Sequence, residues 1–178
     1  MLGNMNRLLP GMLFALCSVA GAGGGERAVP VGLGQPARCA AGYVRPDFSR
    51  LQADLNAART RWKAARVRNY RYDFARIAAP LRLPDVTVTV VGGRVQGIQA
   101  VDGQHPAAPS PLNAGPVEAL FLEAARALTY QRSQPCATLR LGFDAVDGHP
   151  TTFYSGSQVS PMADGSGEWR VTNFSARP

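Results

Sequence analysis

Three sets of side chains in this sequence have the types and spacing to do chemistry. The first is Asp144 and Asp147 with His149 close behind, in the stretch ATLRLGFDAVDGHPTTF at 137–153. Two carboxyls facing one cleft with separated pKa values could share general acid–base work. A histidine beside them could join a divalent metal site of mixed N and O donors. The second set is Arg59, Lys63 and Arg66, which recur at helical spacing and line one face of a helix. Such a row could hold an anion, or simply be a solvated flank. The third set is Cys39 and Cys136, which could form a disulfide in an oxidising compartment.

Each set also has a plainer explanation. An Asp-Gly pair followed by a residue before proline is ordinary turn chemistry. The same pattern occurs twice, as VDGQHP at 101–106 and VDGHP at 146–150. If the two turns converge, Asp102 and His105 would join Asp147 and His149 as metal ligands. No HExxH-type ligand spacing is present, so neither a metal nor any other cofactor is expected. Tyr154-Ser155-Gly156-Ser157 is not a nucleophile elbow. The chain has no phosphate-cradling glycine loop and no dinucleotide fingerprint. No catalytic residues are therefore assigned, and the chain is not expected to be an enzyme. Arg59, Lys63, Arg66, Asp144, Asp147 and His149 stand as ligand-binding candidates.

The elements that must position these groups can be read from periodicity. Asp144 to His149 follow a strand in which Leu139, Leu141 and Phe143 alternate with Thr138, Arg140 and Gly142, with Asp144 next on the polar face. The chain then returns over Thr151–Val159. The basic row belongs to a first helix over Pro46–Val67, with Leu51, Leu55, Ala58, Trp62 and Ala65 as its apolar stripe. Its start is either a Ser49–Gln52 capping box or an Asp47 N-cap. Tyr70–Ile77 alternates aromatic and polar residues as a strand. Asp85–Val91 and Arg94–Val101 form a hairpin about Gly92-Gly93, with Gly97 a candidate bulge. Pro116 suits the first turn of a second helix with Val117, Leu120, Phe121, Ala124 and Leu128 inward and Pro135 ending it. Glu168–Ser175 makes the last strand, with Trp169, Val171 and Asn173 on one face and Arg170, Thr172 and Phe174 on the other.

The fold class that follows is α+β. Expected is an antiparallel sheet of about five or six strands with two amphipathic helices on one face, in the order α-βββ-α-βββ. The repeated helix-plus-meander suggests a diverged duplication. At the level of fold alone it resembles exported inhibitor-like and PepSY-like domains.

With 178 residues and 46% hydrophobic content, the chain has room for one core and not easily for two. Met1–Ala22 carries Arg7, an apolar run and an A-x-A site at Ala20-Gly21-Ala22, the marks of a signal peptide. That run is shorter than the ~20 residues that span a bilayer, so no transmembrane anchor is expected. Cys17 follows Leu16 rather than a small residue, which argues against lipidation. The expected organisation is a signal peptide at 1–22, a flexible Gly/Ala/Pro-rich leader at 23–45 and one domain at 46–178, exported to the periplasm or secreted. The net charge is +7, and Lys63 is the sole lysine. This excess suits anionic partners, or else reflects an Arg-rich composition. Nucleic acid is not expected, given the export signal and the lack of an aromatic–basic recognition motif.

The order of short motifs carries a resemblance. Trp62, Tyr70-x-Tyr72, the V-x-V strand running to Gly92-Gly93-Arg94-Val95, Leu120-Phe121, and Phe143-Asp144 with Gly148-His149-Pro150-Thr151 together resemble bacterial family 6174 of the domains of unknown function. Asp164 and Phe174 fill its late acidic and Phe positions. The likeness spans about Leu51–Ser175. Two departures stand out: Phe143 replaces a more usual Tyr, and Arg76–Pro84 lacks the cysteine pair that many members carry. The resemblance implies a small exported protein or lipoprotein and brings no known activity.

The functional expectation is a non-enzymatic binding module for a protein or small ligand, with Arg71, Arg140 and Arg170 on the exposed sheet face. The first alternative is an electrostatic binder of an anionic envelope polymer or lipid through Arg59, Lys63 and Arg66. The second is an enzyme with an unrecognised site, for which Asp144 would be the first residue to test.

Overall fold

Two amphipathic helices close over the aromatic face of an antiparallel sheet. The computed structural model describes residues 38–78, 81–101, 114–159 and 167–177. The segments expected as a signal peptide at 1–22 and, for the most part, as a leader at 23–45, together with Asp102, His105 and Asp164, lie outside the described residues. The elements are α1 (Phe48–Ala65), β1 (Asn69–Ala78), the two-residue β2 (Leu81–Arg82), β3 (Val86–Val91), β4 (Arg94–Ala100), α2 (Val117–Ser133), β5 (Ala137–Phe143), β6 (Pro150–Ser157) and β7 (Gly167–Arg177). Six strands run in the order β4-β3-β1-β7-β6-β5, and β2 pairs with the end of β1. All pairings are antiparallel. The fold is thus α+β, as expected, with β2 the added element. The order within the sheet repeats. In each half the strands lie third, second, first, and the first strand of one half abuts the last strand of the other.

Asp47 caps α1, its carboxylate accepting from the N–H groups of Ser49 and Arg50 at 3.0 Å. The capping-box alternative is not used. The apolar stripe of α1 buries Phe48, Leu55, Ala58 and Trp62, and that of α2 buries Val117, Leu120, Phe121, Ala124 and Leu128. On β1, Tyr70, Tyr72 and Phe74 are buried and stand opposite Val90, Val88 and Val86 of β3. Both tyrosine hydroxyls bind the chain at the start of α2, and that of Tyr70 serves one of the N-terminal N–H groups that lack intrahelical partners. Tyr70 Oη accepts from Val117 N at 2.8 Å, and the Tyr72 hydroxyl donates to the Gly115 carbonyl. Burial pushes the Tyr70 phenol up to about 12 and raises that of Tyr72 as well. Among the described residues no helix is long and apolar enough to cross a membrane.

Two features depart from simple alternation. In β7, Asn173 has φ +50° and sits at a bulge opposite Arg71–Asp73 of β1. A bulge inserts one residue and reverses the facing of those that follow. Phe174, expected on the polar face, therefore turns inward against Trp62 and Tyr70. The β3–β4 ladder also shifts register, with Thr89 opposite Gly97 and Val90 opposite Val95. This places an extra residue beside the expected Gly97 position.

Residues 38–45, expected as the end of a flexible leader, are tied to the sheet. Cys39 and Cys136 form a disulfide across 97 residues. Cys39 bridges Val159, and Tyr43 Oη donates to the Ala137 carbonyl at 3.0 Å. Closing so long a loop restricts the unfolded chain by about 4–5 kcal/mol in the chain-entropy account.

Candidate functional site

Helix α1 divides the candidate residues between its two flanks. On one flank lies the loop joining β5 to β6. Asp144 stands one residue beyond β5, not on its polar face, because the strand ends at Phe143. Its Oδ1 accepts from Val146 N at 2.8 Å and Asp147 N at 3.0 Å. These N–H donors, that of Asp147 foremost, hold the Asp144 carboxyl below its ordinary range, with the nearby His149 adding to the effect. Asp147 Oδ1 in turn accepts from His149 N at 2.9 Å and lies 2.6 Å from His149 Nδ1. The His149 ring is buried and stacked on Phe174, with centroids 4.0 Å apart. Gly148, at φ +82°, presses against the Ala58 carbonyl of α1. Arg61 reaches over from the helix to the Asp144 carbonyl at 3.5 Å.

Asp144, Asp147 and His149 thus do meet, with potential ligand atoms within 4.8 Å of one another. Asp144 Oδ1, Asp147 Oδ1 and His149 Nδ1 already hydrogen-bond within the loop. Among the described residues no hydroxyl or thiol is hydrogen-bonded to the imidazole. The arrangement works as a lock that fixes the β5–β6 connection to α1.

On the other flank, Arg59, Lys63 and Arg66 line a cleft of about 600 Å³ between α1 and the first turns of α2. The end of α1 shapes its mouth. Arg66 takes a left-handed C-cap conformation at φ 52°, a place where glycine is usual. The reversal turns the chain so that Val67 and Arg68 line the same cleft. Trp62 and Phe121 form its floor, and Glu118 stands on the α2 side. Trp62 is a buried core anchor whose indole Nε1 donates to Glu118 Oε1 at 2.9 Å. Arg59 donates to the Phe121 carbonyl at 3.2 Å and lies over its ring at 5.8 Å. Lys63 and Arg66 are exposed and make no ion pair among the described residues.

Four cations therefore face one carboxylate around an apolar floor. The sequence indicated three of the cations. Arg68 was hidden in the linker beyond the helix. Phe121 read as core, because an apolar stripe does not reveal which helix will lie alongside, and Glu118 of the same helix was not singled out as a candidate.

The outer sheet face carries the other expected cations. Arg71, Arg140 and Arg170 are exposed there, and the Arg140 guanidinium lies 4.4 Å over the Tyr154 ring. Asp73 on the same face binds Thr87 Oγ1 at 2.6 Å and Asn173 Nδ2 at 2.7 Å. These cations are spread over three strands, and Arg170 lines a cavity of about 220 Å³ with Asp85 and Glu168.

Comparison with known proteins matches residues 54–176 to the model of a family of unknown function, DUF6174. The match covers more than half of the chain, and the chain belongs to that family. No curated protein matches it.

Proposed function

We propose that this family member is an exported, non-enzymatic binding module whose site is the α1–α2 cleft and whose ligand is a small anion. The cleft carries the reading. It is a concave space of about 600 Å³, within the roughly 300–1,000 Å³ usual for small-ligand sites. Its rim of Arg59, Lys63, Arg66 and Arg68 is offset by Glu118 alone. Lys63 and Arg66 are held at its mouth with their charges unspent among the described residues. The Cys39–Cys136 disulfide supports export, since such bridges persist in oxidising compartments. The engagement of Asp144 and Asp147 in loop hydrogen bonds supports binding rather than turnover. A second reading, a protein or anionic-polymer partner on the sheet, rests on Arg140 over Tyr154 beside Arg170.

A thermal-shift screen of phosphates, carboxylates and sulfates separates these readings. It compares the parent chain with Lys63→Glu/Arg66→Glu and with Arg140→Glu/Arg170→Glu. The cleft reading expects a rise in Tm that weakens with salt, survives the sheet substitutions and disappears with the cleft substitutions. The opposite pattern moves the site to the sheet. Turnover of a bound anion that Asp144→Asn abolishes would overturn the non-enzymatic reading.

A further inference from the structure

The cleft is not a simple anion hole, because charge occupies its mouth while its floor is apolar. Trp62 and Phe121 are nearly fully buried yet contribute the floor, and Val67 adds an aliphatic wall. The indole N–H is already taken by Glu118, and the Arg59 guanidinium donates through Nη2 to the Phe121 carbonyl. Phe121 is stacked on Phe143 and has the Arg59 guanidinium over its ring, so the floor offers ring edges, and its one side-chain donor, the indole, is engaged. Lys63 and Arg66 stand at the exposed edge, where a charged head could meet them without losing all its water. An inorganic anion would satisfy the mouth and leave the floor wet. An uncharged apolar molecule would fill the floor and leave the cations unmatched.

Resting on the cleft reading above, we infer that the ligand is an anionic amphiphile bound one molecule at a time. Its compact phosphate or carboxylate head lies between Lys63 and Arg66, and its apolar tail lies over Trp62 and Phe121. Both contributions are needed. Each buried methylene adds affinity, and the head fixes orientation and selects against neutral and cationic amphiphiles.

Trp62 and Trp169 are the two tryptophans of the chain, so Trp169→Phe leaves Trp62 as the sole indole reporter at the floor. Dodecyl phosphate, kept below its micelle concentration, is titrated into the full chain by calorimetry and into the Trp169→Phe chain by fluorescence. Calorimetry on the unaltered chain keeps the test intact if Trp169→Phe folds poorly. The expected result is saturable binding at one site, at least about 50-fold tighter than inorganic phosphate, with a shift in Trp62 emission. Dodecyl maltoside and dodecyltrimethylammonium should fail to compete. Lys63→Glu/Arg66→Glu should weaken binding about tenfold or more.

If inorganic phosphate and butyl phosphate bind as tightly as dodecyl phosphate, and do so through Lys63 and Arg66, the amphiphile inference falls and the cleft reading stands. If no anion binds, or the double substitution changes nothing, both fall. Sedimentation with phosphatidylglycerol vesicles that dodecyl phosphate does not compete away would mean adsorption to a membrane surface, and would also overturn the inference.

Discussion

The Asp144–His149 loop and the α1–α2 cleft press on opposite flanks of one helix and use their polar groups in opposite ways. In the loop, Asp144 Oδ1 serves two N–H donors, Asp147 Oδ1 meets both the backbone and the ring of His149, and the ring is stacked on Phe174. In the cleft, Lys63 and Arg66 face solvent with no ion pair among the described residues. Charged groups folded into a closed hydrogen-bond network stabilise a conformation. Charged groups held open beside an apolar floor are suited to a partner that arrives later. Residue types alone would have ranked the two regions the other way, since acid–histidine clusters more often suggest chemistry. Their hydrogen-bond partners distinguish them.

The strongest way to break the comparison is to attack the loop where it meets the helix. A Cβ at Gly148 would lie 2.4 Å from the Ala58 carbonyl oxygen, on a backbone at φ +82°. Neither the helix backbone nor the turn can yield cheaply. Gly148→Ala should cost roughly 3–5 kcal/mol, combining left-handed strain with overpacking. Gly92, in the β3–β4 turn at φ +61°, has open space around its Cβ position. Gly92→Ala should therefore cost only about 1 kcal/mol. Chemical denaturation of both variants checks the contrast, and equal costs would mean that the loop is not locked to α1.

A smaller effect separates the loop's charge from its shape. Asp144→Ala removes the acceptor for two N–H groups and should cost about 1–2 kcal/mol. Asp144→Asn keeps an oxygen in place and should cost less. The acid's contribution also depends on pH. Its folded pKa lies below the unfolded value of about 3.8. The stabilisation is therefore present above that value and lost as pH falls through the lowered folded pKa. Denaturation midpoints measured from neutral to strongly acidic pH should show an acid-side decline that is shallower in Asp144→Asn. An unchanged profile would show that the carboxylate charge is not part of the lock.

Much of the frame behind this comparison was legible in the sequence. The stripes of α1 and α2, the alternation of β1 and β3, and the turns at Gly92-Gly93 and Asp147-Gly148 follow from periodicity and glycine alone. What was hidden depends on backbone conformations that composition does not announce. Arg66 and Asn173 adopt left-handed φ without being glycine. One turns the chain into the cleft mouth, and the other sends Phe174 inward under His149. The stop at Phe143, which moves Asp144 off the strand, is settled by the loop's own hydrogen bonds. The second wall of the cleft is a tertiary fact, since Glu118 and Phe121 reach Trp62 only after two helices separated by a whole meander have packed.

The smallest expected effect is the sharpest test of the difference between the regions. Lys63 lies in the last turn of α1 and Arg66 caps it, so both interact favourably with the helix dipole, by about 0.3–1 kcal/mol each where exposed. They also share a cleft mouth with Arg59 and Arg68, and the repulsion among like charges opposes that gain. Replacing both by glutamine removes the attraction and the repulsion together. Lys63→Gln/Arg66→Gln should therefore change stability by only about 0.5 kcal/mol, the usual range for exposed positions, while removing the charge that faces the cleft. Denaturation at low and high salt checks this. A loss as large as that of Asp144→Ala would mean that these cations are part of the frame. A near-neutral result would place their charge where the helix does not need it, and leave it free for whatever enters between α1 and α2.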